Sequence, residues 1–165
     1  MKRLFLLAFA GLFIGCQQPS TNTKPTLRDG FYQVNNKGTD STNFGNLHEH
    51  EIVVTYNSIY NRQEFTKLLI DTSDFVPLEL ELLPVIQKDS SQMNRLSISL
   101  SADAAGKMKA FTATRIMKGL AIVLNGEAIT MHKVRDTIQG GNMVISWCGE
   151  NACRQLYTKI KGHVK

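Results

Sequence analysis

The 165-residue chain has three cysteines, one tryptophan and a single long apolar run. Each shortage excludes something. No Cys-x-x-Cys pair is present for redox chemistry, and no second cysteine pair exists to complete a four-ligand zinc site. There is no Gly-x-Ser-x-Gly elbow and no glycine-rich phosphate loop, which removes the usual sequence signals of serine hydrolases and nucleotide-binding enzymes. Nineteen basic residues stand against fourteen acidic ones. They are scattered and not interleaved with aromatic side chains, so nucleic acid is not indicated as a partner. No internal repeat is visible.

The apolar run lies at the start. Lys2 and Arg3 precede residues 4–14, which are nearly all apolar. That run falls short of the ~20 residues a membrane-spanning helix needs and fits a secretory signal peptide. It ends in Phe13-Ile14-Gly15-Cys16. This ending resembles the lipobox of bacterial lipoproteins, where a small residue precedes a cysteine that is lipidated and becomes the new N-terminus. Phe13 departs from the Leu, Val or Ile usual at its position. The resemblance implies a signal peptide over 1–15, lipidation of Cys16 and a membrane partner held through that lipid. Residues 16–26 are polar, contain Pro19 and Pro25, and read as a tether. Gln17 stands where many inner-membrane lipoproteins carry Asp. The expected location is therefore the outer membrane, facing the periplasm. Removal of the signal leaves 150 residues, enough for one ordinary domain, and takes the formal charge from +5 to +3.

A lipid on Cys16 occupies its sulfur and leaves Cys148 and Cys153. In an oxidising compartment a spare pair is expected to form a disulfide. A metal clamp would need further ligands, and only His163 is near in sequence. Trp147 directly precedes Cys148 and is expected to pack on the bridge.

Residues 27–90 read as a smaller β-rich part. A turn at Asp29-Gly30 leads into a strand over 31–34, residues 35–46 form a loop, and 51–56 form a β-branched strand. The stretch 64–71 reads as a strand ended by a turn at Asp71-Thr72-Ser73-Asp74. Leu78 to Leu83 alternates with glutamate, so its leucines are expected on one face until Pro84. From 91 to 165 the signals sharpen. Leu96, Ile98 and Leu100 share one strand face, and Ser101 caps a helix with Asp103 in its first turn. Ala104, Met108 and Phe111 form the buried stripe of that helix, and Gly119 ends it. Residues 120–124 are an apolar central strand, and Asn125-Gly126 turns it into a hairpin. Gly140-Gly141 precedes another strand, and Cys153, Leu156, Tyr157 and Ile160 line a last helix. The expected fold is α+β, a mixed or antiparallel sheet with two helices on one face.

These residues resemble the head of the first periplasmic domain of SecD and SecDF, the protein-export accessory proteins. The resemblance runs over about residues 95–161. It is carried by Leu120-Ala121-Ile122-Val123-Leu124-Asn125-Gly126, then Ile138, Gly140-Gly141, and Glu150 to Ala152 in the last helix. Thr130-Met131-His132 departs from the family's Ser-Ala-Pro, and the cysteine pair is not part of the common pattern. The resemblance implies the fold and a periplasmic, protein-facing role without motor activity.

The candidate sites are few. His48-Glu49-His50 has metal-ligand chemistry but no third ligand fixed by spacing. His132 stands beside Lys133 on the hairpin's return strand. Ser97, Ser99 and Ser101 have no His–Asp partner at a fixed spacing, and Glu79 and Glu81 read as a solvated sheet face. Arg115, Lys118, His132, Lys133 and Arg135 make a candidate partner surface around the hairpin. No cofactor or metal is implied. The best-supported function is a lipid-anchored, non-catalytic module that binds envelope or exported proteins. A structural lipoprotein that tethers envelope layers and a metal-dependent hydrolase are the alternatives.

Overall fold

The computed structural model describes residues 27–59, 64–146 and 148–165. The signal peptide, Cys16, the tether and the packing of Trp147 lie outside the described residues. The elements run β1 (Gly30–Gly38), β2 (Glu51–Tyr56), β3 (Lys67–Pro77), β4 (Val85–Lys88), β5 (Asn94–Ser99), α1 (Ala102–Ala113), β6 (Gly119–Leu124), β7 (Glu127–Lys133), β8 (Asn142–Ser146) and α2 (Glu150–Ile160). The expected α+β class is present, but the strands divide into two sheets. One is a closed barrel in the order β1-β3-β2-β7-β6, and the other is a three-stranded sheet, β4-β5-β8. The barrel is antiparallel except where β2 meets β7 in parallel at Thr55 and Tyr56.

Two cores explain the apolar run of β6. Ala121 and Val123 point into the barrel with Tyr32, Val34, Val54, Leu68 and Ile70. Leu120, Ile122 and Leu124 point out of it, into a second core shared with both helices and the inner face of the small sheet. A strand with a core on each side has no polar face to offer. β1 divides in the same way, with Phe31 in the outer core and Tyr32 in the barrel. Tyr32 stacks on Phe75 with ring centroids 5.2 Å apart, and its hydroxyl donates to the Arg28 carbonyl at 2.9 Å. Burial pushes the Tyr32 phenol up to about 12, against the pull of nearby Arg28.

Ser101 caps α1 by accepting the Ala104 N–H at 3.3 Å, with Asp103 in the first turn. Ala104, Met108 and Phe111 are buried, and Cys153, Leu156 and Ile160 are buried on α2. Asn125 and Gly126 take φ of 51° and 78°, the left-handed pair that a tight hairpin needs. Cys148 and Cys153 form a disulfide with their Cα atoms 5.1 Å apart.

Four local expectations change. Gly119 does not end α1; the helix stops at Ala113, and Gly119 opens β6. There a Cβ would lie 2.9 Å from the Val34 Cβ, so the glycine serves close approach to β1 and not a cap. Residues 71–74 do not turn the chain. They lie within β3, whose register against β1 passes from Phe75 to Asp71 and leaves Thr72, Ser73 and Asp74 as a bulge. The Thr72 N–H and hydroxyl both donate to the His50 carbonyl, at 2.7 and 2.9 Å, which holds the bulge in place. β1 continues through Asn35, Asn36 and Lys37, where composition alone suggested a loop. Pairing with Leu68 and Leu69 of β3 overrides the propensity. Finally, Leu78 and Leu80 are buried as the alternation requires, but Leu82 is not.

Candidate functional site

An apolar opening lies between the outer wall of the barrel and the small sheet. Phe31, Leu120 and Ile122 form its floor, and Val134, Ile138, Met143 and Ile145 form its walls. The cavity is about 340 Å³. The local sequence builds it directly. Lys118 and Val134 are bonded through the Val134 N–H and Lys118 carbonyl at 2.9 Å, which turns the chain out of the hairpin. The following loop is pinned to α1 by Thr112, whose hydroxyl donates to the Met108 carbonyl at 2.7 Å and accepts the Ile138 N–H at 3.0 Å. Gly140 and Gly141, with φ of 70° and 72°, then send the chain back along β8.

Among the described residues β8 pairs on one edge only, with β5. On the side of β7 away from β6, the contact with β2 is continued by the Asn57 and Ile59 N–H groups, which donate to the Ala128 and Ile129 carbonyls at 2.8 and 3.1 Å. The groove is therefore an apolar floor beside the β8 edge, which among the described residues carries no strand partner.

Its rim is polar. His132, Lys133, Arg135 and Asp136 line it. His132 keeps part of its surface exposed, yet the atoms packed around its ring lower its pKa below 6.5 by desolvation. Three of the five residues read as a partner surface, His132, Lys133 and Arg135, are thus brought together. Lys118 is exposed and joined to the rim through Val134. Arg115 stands apart. It donates to Asp74 at 3.1 Å and to the Phe111 carbonyl at 3.1 Å, and its guanidinium lies 3.9 Å from the Phe111 ring centroid. These contacts lock α1 to the β3 bulge.

The remaining candidates are structurally engaged. His48 and His50 sit at the entry to β2, where the His48 N–H donates to Glu51. Among the described residues no group of three or more His, Cys, Asp or Glu is gathered in metal-binding geometry. Ser97 accepts from Gln87, Ser99 bonds Asn142, and Ser101 is the cap of α1. Glu79 pairs with Lys165 at 2.7 Å, a bond that holds its carboxyl below the usual range, and Glu81 lies at the surface.

The sequence reading found the basic rim and missed the apolar floor. Ile138 and Met143 were legible only as turn and strand residues. The floor of β1 and β6 is visible as a surface only once the barrel is known to turn those side chains outward.

Comparison with known proteins places this geometry. The model of the family "SecDF, P1 head subdomain" matches residues 83–158, which include β4 to β8, α1 and most of α2. No curated protein sequence matches the chain. The crystal structure of SecDF in its super-membrane-facing form superposes with a TM-score of 0.50 at 18% identity, covering 81% of this chain and 18% of that one. A structure of SecDF described as a membrane component that enhances protein export gives 0.49 at 20% identity, covering 81% of this chain and 63% of that one. The chain thus spans about a fifth of the first SecDF chain's length. Among the described residues no helix is long and apolar enough to cross a membrane. The fold is SecDF-like, and residues 83–158 resemble the SecDF P1 head subdomain.

Proposed function

We propose that the protein is a non-catalytic binding module, anchored by a lipid on Cys16 and facing the periplasm, that receives extended segments of envelope or exported proteins. The observation that supports this most is the groove between β7 and β8. It offers apolar surface from Phe31, Ile122, Ile138 and Met143 beside the open edge of β8. An extended segment laid along such an edge gains main-chain hydrogen bonds, and its alternate side chains reach the floor. Lys133 and Arg135 on the rim favour segments with acidic flanks. The match of residues 83–158 to the SecDF P1 head supports a protein-facing role. The lipobox-like ending at Cys16 supports the anchor and the compartment.

A test uses the mature chain and a permanently unfolded model polypeptide, reduced and carboxymethylated α-lactalbumin. Binding is expected, with the native form of the same polypeptide bound weakly or not at all. Ile138→Ser and Met143→Ser together should weaken it roughly tenfold or more, as loss of two central anchors does. The paired surface change Lys133→Glu with Arg135→Glu should slow association. Unaltered binding by variants with wild-type circular dichroism would count against the groove.

A further inference from the structure

A second exposed apolar feature lies across β8 from the groove, on the outer face of the small sheet, and shares Asn142, Met143 and Val144 with it. The segment from Leu78 to Lys88 runs beside β5 in two stretches. The Glu81 N–H donates to the Ser99 carbonyl at 3.0 Å, and Val85 pairs with Ser97. One residue, Ile98, separates the two partners on β5, whereas Leu82, Leu83 and Pro84 separate them on the other side. Leu82 and Leu83 are therefore extruded from the edge of the sheet, while Pro84 is buried. Leu82 is 62% exposed and Leu83 57%, and Val85 and Val144 are 55% and 52% exposed beside them. Together with Ser97 and Ser99 they line a depression of about 240 Å³. Two adjacent leucines pushed into solvent at a proline-blocked edge are an apolar patch of the kind that meets another phase or molecule.

The position of the patch selects its occupant. The Leu78 N–H donates to the Asp29 carbonyl at 3.1 Å, so the extruded leucines begin four residues after a residue bonded to the segment that enters β1. Only residues 17–26 separate Cys16 from Leu27, a span of at most about 36 Å when fully extended. The opposite end of β1, at Gly38, lies about 26 Å further away along the strand. A chain held in a bilayer at Cys16 therefore keeps the Leu82–Leu83 end of β1 within short reach of the membrane, and the Ser41 end can lie about 26 Å further off. Glu81, next to Leu82, is an exposed carboxylate. Glu79 is paired with Lys165 at 2.7 Å, and Lys165 is itself tied to Leu80 by its backbone N–H at 3.1 Å.

We infer that Leu82 and Leu83 form a membrane-contacting wedge that docks the folded domain against the bilayer carrying its own lipid. This rests on the lipid-anchor reading above. The wedge fixes the orientation of the domain, with the far end of the barrel directed away from the membrane.

The test separates the wedge from the anchor. The mass of the chain isolated from membranes reports whether Cys16 carries acyl chains, and an unmodified mass overturns the anchor reading alone. For the wedge, the mature chain is coupled through Cys16 to a maleimide phosphatidylethanolamine in phosphatidylethanolamine/phosphatidylglycerol vesicles with brominated acyl chains. Leu82→Trp and Ser41→Trp are each made with Trp147→Phe. Tryptophan at 82 should be quenched at least twofold and that at 41 left unchanged. Equal, weak quenching at both positions overturns the wedge. Shielding of position 82 that grows with protein concentration without vesicles also overturns it, in favour of a second copy of the chain. If a tryptophan variant does not fold, hydrogen exchange of the coupled wild-type chain gives the same answer. Amides 82–83 should exchange severalfold more slowly on vesicles than in solution, and unchanged exchange contradicts the inference.

Discussion

His163 Nε2 lies 2.9 Å from Asp29 Oδ2, although 134 positions separate the two residues. The other oxygen of Asp29 accepts the Asn125 N–H at 2.7 Å, and the second ring nitrogen of His163 lies 3.2 Å from the Ile160 carbonyl. One carboxylate thus joins the start of β1, the turn of the β6–β7 hairpin and the C-terminal end of the fold. Asp29→Ala should destabilise the protein by about 1–3 kcal/mol, since it leaves the Asn125 N–H and the imidazole without their acceptor. His163→Ala should cost less, about 1 kcal/mol, because the Asn125 bond survives. Urea unfolding of the two variants checks the order.

The two glycines before β8 are not equivalent. Both have positive φ, but a Cβ at Gly140 meets no heavy atom within 4 Å, whereas one at Gly141 would lie 2.5 Å from the Ala105 Cβ. Gly140→Ala should cost only the left-handed conformation, about 1–2 kcal/mol. Gly141→Ala should cost that and about 1–3 kcal/mol of overpacking against α1. Adding Ala105→Gly should return much of the second part, which a double-mutant cycle measures directly.

The Cys148–Cys153 bridge closes a short loop at the start of α2, with both residues buried. In the chain-entropy model such a loop contributes roughly 2 kcal/mol. Cys153→Ser should lower the melting temperature without preventing folding. Wild-type protein with the same melting temperature in oxidised and reduced form would contradict this.

Asp89 holds the β4–β5 turn. Its carboxylate accepts the Met93 N–H at 3.0 Å and the Ser91 N–H at 2.8 Å, and it pairs with Arg95 at 2.8 Å. The Met93 bond is the largest of the causes that lower its pKa below the ordinary 3.8. A carboxyl depressed in the folded state stabilises it fully above the unfolded value, and that stabilisation is lost as pH falls through the lower, folded value. Wild type should therefore lose stability as pH drops below 3.8, and Asp89→Asn should show a shallower decline there. Parallel acid titrations of unfolding compare the slopes.

Much of the C-terminal half was legible because its signals are local. The cap at Ser101, the stripe of Ala104, Met108 and Phe111, the Asn125-Gly126 turn and the buried face of α2 are each set within a few residues. What escaped was set by distant pairing. The two-sided burial of β6 depends on β1, some ninety residues earlier in the chain, because that pairing closes the barrel. The bulge at Thr72–Asp74 is held by His50, and composition alone makes it look like a turn. Leu82 continues a perfect alternation yet is expelled, because three residues there oppose one on β5. The site followed the same rule. Its charged rim is contiguous in sequence, and its apolar floor is assembled from β1, β6 and β8.

The most direct measurement is site-specific photocrosslinking of the intact protein in its own cells. A photoreactive residue is placed at Met143 or Ile138 in the groove and, for comparison, at Ser41 at the far end of the barrel. A groove that takes extended polypeptide gives protein adducts at 138 and 143 and not at 41, and Lys133→Glu with Arg135→Glu reduces them. Adducts absent from the groove, or equally abundant at 41, would contradict the binding role.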